Sequence, residues 1–189
     1  DMYQLDKFKV MLPALTLIGM YSGIRESEIA GLRVEHILEG HLLDIREGKN
    51  QAAIRIIPTH RAIHPLLDKL VKDSKDGWLL PELPSNMKTP RGVYTSGKFS
   101  DFKQRLWGHN ERPDLVFHSF RHRIEDLFRD AEIHPAISRK LTGRKDKGSE
   151  GEYGDGVTIA KMQEELDKIQ QGQEVDEAAA RLMDKLLQS

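Results

Sequence analysis

The sequence contains no cysteine in its 189 residues, which excludes disulfides and thiolate metal sites. No apolar run approaches the roughly 20 residues that a membrane-spanning helix needs. The first residues show no basic region followed by an apolar stretch, so no signal peptide is visible. The hydrophobic content of 38% and the charged content of 31% are ordinary for a globular domain. We therefore expect a cytoplasmic protein without membrane contact, built as one compact domain or as one domain with an arm.

The sequence also has little net charge, −1 at pH 7, which at first does not favour nucleic-acid binding. The distribution of charge changes this view. Residues 85–123 contain eight cationic and three anionic residues, a net charge of +5, whereas residues 158–189 contain four and seven, a net charge of −3. A charge run is usually a solvated face, so this pattern alone is weak support. The middle of the chain is a candidate surface for double-stranded DNA, with expected phosphate contacts at Lys88, Arg91, Lys98, Lys103 and Arg105.

Apolar spacing predicts an α+β domain that is mainly helical and has one small antiparallel sheet. A buried helix is predicted around residues 15–21 with its end near Gly23, and a short helix begins at Glu26 or Ser27. Two strands are predicted at residues 42–45 and 53–57, joined by a polar hairpin loop that contains glycine. Further helices are predicted over residues 63–71, from Ser96 or Ser100 to Trp107, and over residues 120–128, 136–141, 158–170 and 174–188.

Two distant arginines, a His-x-x-Arg turn and a late tyrosine carry the chemistry of this sequence. Arg121 stands between Phe120 and Ile124 in a largely apolar helix, where a guanidinium is unfavourable without an anion. A phosphate can supply that anion through two parallel hydrogen bonds. The alternative is that Arg25 and Arg121 form ordinary surface ion pairs. Tyr153 lies among several glycines, which suits either a loop residue or a nucleophile that must move to a phosphate. The set indicates DNA strand transfer.

The order and spacing of these residues over 15–154 resemble the tyrosine recombinase (phage integrase) family. The string Gly-Ile-Arg-Glu-Ser-Glu-Ile-Ala-Gly-Leu at 23–32 is similar to the first arginine motif of the family. Lys49 and the strand Arg-Ile-Ile-Pro at 55–58 match its hairpin lysine and the strand beyond. His-Ser-Phe-Arg-His at 118–122 fits the His-x-x-Arg motif, and Tyr153 falls at the position of the nucleophile. The resemblance implies the DNA breaking-rejoining catalytic fold.

The sequence departs from the family at one catalytic position. The family usually has Gly-His between His-x-x-Arg and the tyrosine, whereas here Gly143 is followed by Arg144. The step from Arg144 to Tyr153 still fits the pattern. A Leu-Trp-Gly-His string at 106–109 imitates the missing motif but precedes His118, so we interpret it as a decoy. Arginine donates hydrogen bonds but does not exchange a proton near neutral pH, which puts the turnover rate in question more than the fold.

The resemblance implies a mechanism without metal or nucleotide cofactor. Tyr153 attacks a phosphodiester and His118 accepts its proton, while Lys49 protonates the departing 5′ oxygen. The product is a covalent 3′-phosphotyrosine. A 5′ hydroxyl of another strand then attacks this linkage and rejoins the DNA. Glu28 is expected to support the active-site helices. The residues expected to contact the non-bridging oxygens are Arg25, His118, Arg121 and Arg144.

The resemblance also implies a larger assembly. We expect a catalytic domain at residues 1–157 and a C-terminal helical arm at residues 158–189, with the family's N-terminal DNA-clamp domain absent from this chain. The arm has an apolar stripe, which predicts docking on a neighbouring protomer; the alternative is that it folds back on its own domain. The expected partners are DNA, further copies of this chain in a tetramer, and accessory DNA-bending proteins.

Two alternative functions remain open at this stage. A type IB topoisomerase would use the same residues to relax supercoils without exchanging strands between partners. A DNA-binding relic, with Arg144 as a mark of lost catalysis, would bind DNA without cleaving it. The short sequence and the Ser-Glu-Ile-Ala-Gly-Leu string at 27–32 favour a recombinase. We expect such a protein to be encoded by a bacterium or a phage and to associate with the nucleoid.

Overall fold

The computed structural model describes residues 8–47, 51–83, 88–144 and 157–188. Within these residues no helix has both the length and the apolar character needed to cross a membrane. Short 3₁₀ turns occur at Val34–His36, Gln51–Ala53 and Arg61–Ile63. The three strands are β1 (Ile37–Leu38), β2 (Leu42–Ile45) and β3 (Arg55–Pro58). The helices are α1 (Met11–Ser22), α2 (Glu26–Ala30), α3 (His64–Asp73), α4 (Arg91–Trp107), α5 (His118–Asp130), α6 (Pro135–Thr142), α7 (Ile159–Leu166) and α8 (Gln173–Leu187).

Helix α1 lies in the middle of the hydrophobic core and contacts α2, α4, α5 and α8. Leu15, Leu17 and Ile18 are buried on different sides of the helix, as expected for a helix surrounded by protein. Gly23 ends the helix with φ of +63°, and its N–H bonds to the carbonyl of Gly19 at 3.0 Å. A Cβ at Gly23 would lie 2.1 Å from Cγ2 of Ile124, so the α1–α2 junction rests directly on α5. This contact brings the two arginine motifs of the sequence together.

The sheet has the order β1-β2-β3, and both pairs are antiparallel. Leu43 pairs with Ile57 and Ile45 with Arg55, so the buried face of β2 lies opposite the buried face of β3. The predicted hairpin is confirmed. The predicted second strand began too early, because Ala53 belongs to a 3₁₀ turn. Strand β1 was not predicted, since two residues are too short for a period-2 pattern.

Helix α4 begins earlier than the sequence pattern predicted. Ser96 and Ser100 were expected to cap it, but both lie inside a helix that starts at Arg91, after Pro90 at the N-cap with φ of −52°. Proline has no N–H and breaks the interior of a helix, so the helix begins directly after Pro90, whose ψ of 136° is extended. The predicted start is therefore wrong.

The C-terminal helices α7 and α8 pack on the core of their own chain. Met162, Leu166 and Ile169 are at most 3% exposed and belong to the same hydrophobic cluster as α1. Helix α7 contacts β3, and α8 contacts α1 and α3. The predicted first helix is shorter than expected and ends at Leu166. This arrangement corresponds to the alternative in which the segment folds back, and exchange between protomers stays a prediction.

Polar contacts also hold the C-terminal helices in place. The hydroxyl of Tyr21 donates to Oδ1 of Asp176 at 2.6 Å, and Nε2 of Gln171 donates to the carbonyl of Met20 at 2.6 Å. His60 stacks on Tyr21 and shares a hydrogen bond with the carbonyl of Ile169 at 3.1 Å. Because these buried groups satisfy each other, undocking the helices would leave polar atoms of α1 without their partners.

We predict that Met162→Ala lowers the free energy of unfolding by about 2–5 kcal/mol, because its side chain is fully buried. Val175→Ala is the control, since Val175 on α8 is 44% exposed and its truncation should change stability by less than about 0.5 kcal/mol. Urea unfolding measures both variants. A Met162→Ala variant as stable as the wild type would contradict the packing.

We also predict that the thermal midpoint is independent of protein concentration, because the helices pack on their own chain. Helices exchanged between protomers would instead make the midpoint rise with concentration.

Candidate active site

One cavity of about 930 Å³ brings together three of the six predicted catalytic residues, Arg25, His118 and Arg121. Arg25 lies at the start of α2, and His118 and Arg121 lie in the first turn of α5. Helix α4 lines the cavity with residues of its first three turns. The other residues that line the cavity are Ile24, Glu26, Ser27, Gly31, Glu47, Trp78, Pro90, Arg91, Gly92, Val93, Ser96, Gly97, Ser100 and Phe117.

Glu28 holds Arg25 from the side of the protein interior. Nη1 of Arg25 donates to Oε1 of Glu28 at 2.7 Å, and the backbone N–H of Arg25 donates to Oε2 at 3.1 Å. Burial alone would raise the pKa of Glu28, but the neighbouring Arg55 and Arg25 outweigh it and lower the pKa. Glu28 is therefore a carboxylate at neutral pH. The side chain of Arg25 stays 30% exposed, so it can reach a ligand in the cavity.

Arg121 is the most deeply buried cation of the cavity, with 3% of its surface exposed. Its Nη1 donates to the carbonyl of Gly23 at 3.1 Å, and its Nε lies 3.4 Å from Oε1 of Glu125. Burial, followed by the nearby charge of Arg25, lowers the pKa of Arg121 to about 10. The guanidinium thus stays charged at neutral pH. Two cations on one partly dehydrated wall create a strong preference for an anion.

Arg144 follows α6 and reaches the same carboxylate. Its Nη2 donates to Oε2 of Glu125, while 49% of the side chain is exposed. Glu125 therefore bridges Arg121 and Arg144. The sequence prediction missed Glu125, although a signal existed, because a residue four positions after Arg121 in a helix lies on the same face.

Arg55 was also missed as a functional candidate. It is 9% exposed, and its Nη2 donates to Oε2 of Glu28 at 3.1 Å. The alternation of the predicted strand contained the signal, since Arg55 and the buried Ile57 share one face of β3. Glu28 thus bridges Arg25 and Arg55, as Glu125 bridges Arg121 and Arg144.

His118 is the first residue of α5, and its ring stands edge-on to His122 at 4.7 Å between centroids. Part of the ring is open to solvent. Partial burial, followed by His122 and Arg121, lowers the pKa of His118, and Glu125 opposes this shift. His118 is therefore mainly neutral at pH 7 and able to accept a proton.

Two carboxylic acids, Glu26 and Glu47, also line the cavity. Burial raises the pKa of Glu26, although hydrogen bonds from Thr95 and Ser96 partly offset it. A raised pKa makes the charge of this side chain easier to neutralise beside an anionic ligand. The cavity thus contains two acidic side chains beside the basic Arg25 and Arg121.

Arg91, one of the expected DNA contacts, already forms several contacts with groups of the protein. Its guanidinium donates to the carbonyls of Ala30 and Leu80, both at 3.0 Å, and lies 4.2 Å from the ring centroid of Trp78. Arg33 lies over the same ring at 4.7 Å. These contacts tie the start of α4 to α2, and a contact between Arg91 and DNA stays a prediction.

The other four expected DNA contacts differ in their availability. Lys88 and Arg105 are exposed. Lys98 forms an ion pair with Asp101 at 3.0 Å, and Lys103 donates to two backbone carbonyls of the loop before α5. Among the described residues, Lys88 and Arg105 are accordingly the expected DNA contacts that can meet a phosphate without breaking such a contact.

Lys49 and Tyr153 lie outside the described residues. Glu47, two positions before Lys49, lines the cavity. Arg144 and Val157 flank the other segment, and Nζ of Lys140 on α6 donates to the carbonyl of Val157 at 3.0 Å. The chain therefore leaves and re-enters the described structure beside α6.

The model of the phage integrase family matches residues 2–146 of the chain. This chain belongs to the phage integrase family. The resemblance read from the sequence is confirmed, and so is the mainly helical α+β fold with a small antiparallel sheet. Membership indicates an enzyme that breaks and rejoins DNA in recombination or integration, and it implies DNA binding. A search of curated proteins and a search of solved structures found no match.

We predict that Glu125→Gln lowers the pKa of His118 further, because it removes the negative charge that opposes the downward shift. NMR titration of the imidazole signals measures the pKa of His118 in the wild type and in the variant. Since the folded state holds the His118 proton less tightly than the unfolded state, stability should fall as pH drops below about 6.5. A His118 pKa above its ordinary value, or a rise in the Gln variant, would contradict these electrostatics.

Proposed function

We propose that this domain catalyses site-specific recombination of double-stranded DNA through a covalent 3′-phosphotyrosine at Tyr153. The observation that carries the proposal is the convergence of Arg25, His118 and Arg121 on one cavity, although the first is far from the others in sequence. Each arginine is backed by a buried carboxylate, Glu28 or Glu125. Such a wall suits a phosphodiester, whose oxygens accept paired hydrogen bonds from guanidinium groups.

The arginines would stabilise the charge that develops during attack. When an oxygen attacks phosphorus, negative charge builds on the non-bridging oxygens, and preorganised donors are most effective there. Within the described residues no hydrogen bond engages Nη2 of Arg121, which leaves this nitrogen for a phosphate oxygen. Nη2 of Arg144 donates to Glu125, and within the described residues the rest of its half-exposed guanidinium is open to a phosphate oxygen.

Two proton transfers complete the step. The phenol of Tyr153 has an ordinary pKa near 10, so it needs a base as it attacks. Neutral His118 takes that proton while the Tyr153–phosphorus bond forms. The bond from phosphorus to the 5′ oxygen breaks, and Lys49 supplies a proton to that oxygen. A 5′ hydroxyl of another strand then attacks the phosphotyrosine and releases the phenol.

We further propose an assembly in which four copies act on DNA, aided by accessory DNA-bending proteins and by exchange of the C-terminal helices. Support comes from family membership and from the location of α7, which packs on β3. An origin in a bacterium or phage and a cytoplasmic location on the nucleoid belong to the same proposal.

We predict that Tyr153→Phe abolishes covalent attachment and leaves DNA affinity unchanged, because only the attacking oxygen is lost. The substrate is a pool of duplexes nicked at one place, with randomised sequence before the nick and a label on the 5′ end of the nicked strand. A denaturing gel detects the protein-linked strand, and a mobility shift measures affinity. Tyr94→Phe is the control, since Tyr94 packs edge-on to Phe8 and should not alter adduct formation. Equal adduct from Tyr153→Phe would move the nucleophile to another residue.

We predict that Arg121→Ala and Arg25→Ala each reduce the rate of adduct formation by about 10²–10³-fold, the loss typical of one preorganised donor. Arg121→Lys should rescue poorly, because an ammonium does not reproduce the paired contact. Arg181→Ala on α8 is the control, since α8 contributes no residue to the cavity. Near-normal rates in both alanine variants would rule out the arginine wall as the phosphate site.

A further inference from the structure

Arg55 is buried on β3 and is bonded entirely within the protein. Its Nη2 donates to Oε2 of Glu28 at 3.1 Å, its Nη1 to the carbonyl of Ala53 at 2.6 Å, and its Nε to the carbonyl of Leu141 at 3.2 Å. These acceptors belong to α2, to the turn after the hairpin loop, and to the end of α6. With 9% of its surface exposed, Arg55 is not placed to contact DNA itself.

The guanidinium of Arg55 also lies against Gly143, the residue that ends α6. A Cβ at Gly143 would be 2.5 Å from Nη1 of Arg55, and φ at this glycine is +66°. The carbonyl of Gly143 lies 3.5 Å from Nη2 of Arg25 on its other side. Gly143 is therefore held between two guanidinium groups, immediately before Arg144.

Stability alone does not explain an arginine at this position. The side chains of Arg55 and Glu28 are 5% and 2% exposed, and a buried ion pair of this kind often contributes no more stability than apolar residues of similar volume. The guanidinium instead fixes the relative positions of three separate acceptors, because its planar group bonds them at fixed angles. Lysine carries its three donors on a single nitrogen, so it cannot reach acceptors that bond to three separate nitrogens of the guanidinium.

We propose that Arg55 is a positioning residue for catalysis, which fixes Arg25 and the end of α6, immediately before Arg144, relative to each other. Its guanidinium bonds the carbonyl of Leu141 and lies against Gly143. Glu28 joins the same guanidinium to Arg25. The proposal rests on the proposed function, since it concerns the arginines that are proposed to contact the phosphate.

The expected effect is on rate and not on affinity. Displacing a reacting group by about 1 Å can reduce a rate by about 10²-fold. Arg55 is not among the described residues that line the cavity, so the affinity for DNA should not depend on it. A residue that only stabilised the fold would change the melting temperature and leave the rate well below that temperature unchanged.

The test compares Arg55→Lys with the wild type on the nicked duplex pool described above. Single-turnover adduct formation at saturating protein gives the rate, a mobility shift gives the dissociation constant, and calorimetry gives the melting temperature. We expect a rate reduced by about 10²-fold with an unchanged dissociation constant. Leu70→Ala on α3 is the stability control, since Leu70 is 3% exposed and lines no part of the cavity. This control should melt at a lower temperature and react at the wild-type rate.

A wild-type rate in Arg55→Lys, or a loss of rate matched by an equal loss of affinity, would overturn the proposal. Gly143→Ala perturbs the same junction from the other side and decides the question if Arg55→Lys does not fold. We expect it to lower the rate without lowering affinity, and a wild-type rate would overturn the proposal as well. Tyr153→Phe, assayed in parallel, separates the two claims, because adduct from that variant contradicts the proposed function itself. If the wild type forms no adduct, both fail.

Discussion

The site depends on two buried carboxylates that each bridge two arginines. Glu28 joins Arg25 to Arg55, and Glu125 joins Arg121 to Arg144. Guanidinium groups brought together without counter-charges would repel each other strongly where little water screens them. The carboxylates lie behind the arginines, so the cations remain directed at the cavity while their mutual repulsion is reduced.

The ends of two helices determine where these charged residues lie. The Gly23 turn brings the end of α1 into direct contact with α5, and the carbonyl of Gly23 accepts a hydrogen bond from Arg121. Gly143 performs a similar task at the end of α6, where it fits between Arg25 and Arg55. Two glycine C-caps thus link helix geometry to the location of the charged groups.

Much of the fold could be predicted from the sequence, because local patterns determine it. Period-3.6 and period-2 spacing identified α1, α3, α5, α6 and the β2–β3 hairpin, and glycine identified two helix ends. The start of α4 was missed because a serine pattern outweighed the proline at Pro90. The packing of α7 and α8 could not be read, since an apolar stripe fits its own core and a neighbouring core equally well.

The motifs of the candidate site could be predicted from the sequence, but the contacts between its residues could not. Arg25, His118 and Arg121 are recognisable because their spacing resembles the family, and the structure brings these three to one cavity. The roles of Arg55 and Glu125 depend on contacts between distant elements, which no local pattern specifies. Arg144 illustrates the difference, because its departure from the usual histidine is visible in the sequence whereas its pairing with Glu125 is not.

The most direct test of the central claim is to locate the covalent bond. After reaction with the nicked duplex pool and digestion by nuclease and trypsin, mass spectrometry should find a nucleotide phosphate on the peptide of residues 148–161, in which Tyr153 is the only tyrosine. Adduct mass on that peptide would establish that the arginine wall serves attack by Tyr153. Adduct mass on a peptide that contains Tyr94 or another tyrosine, or no adduct at all, would contradict the account.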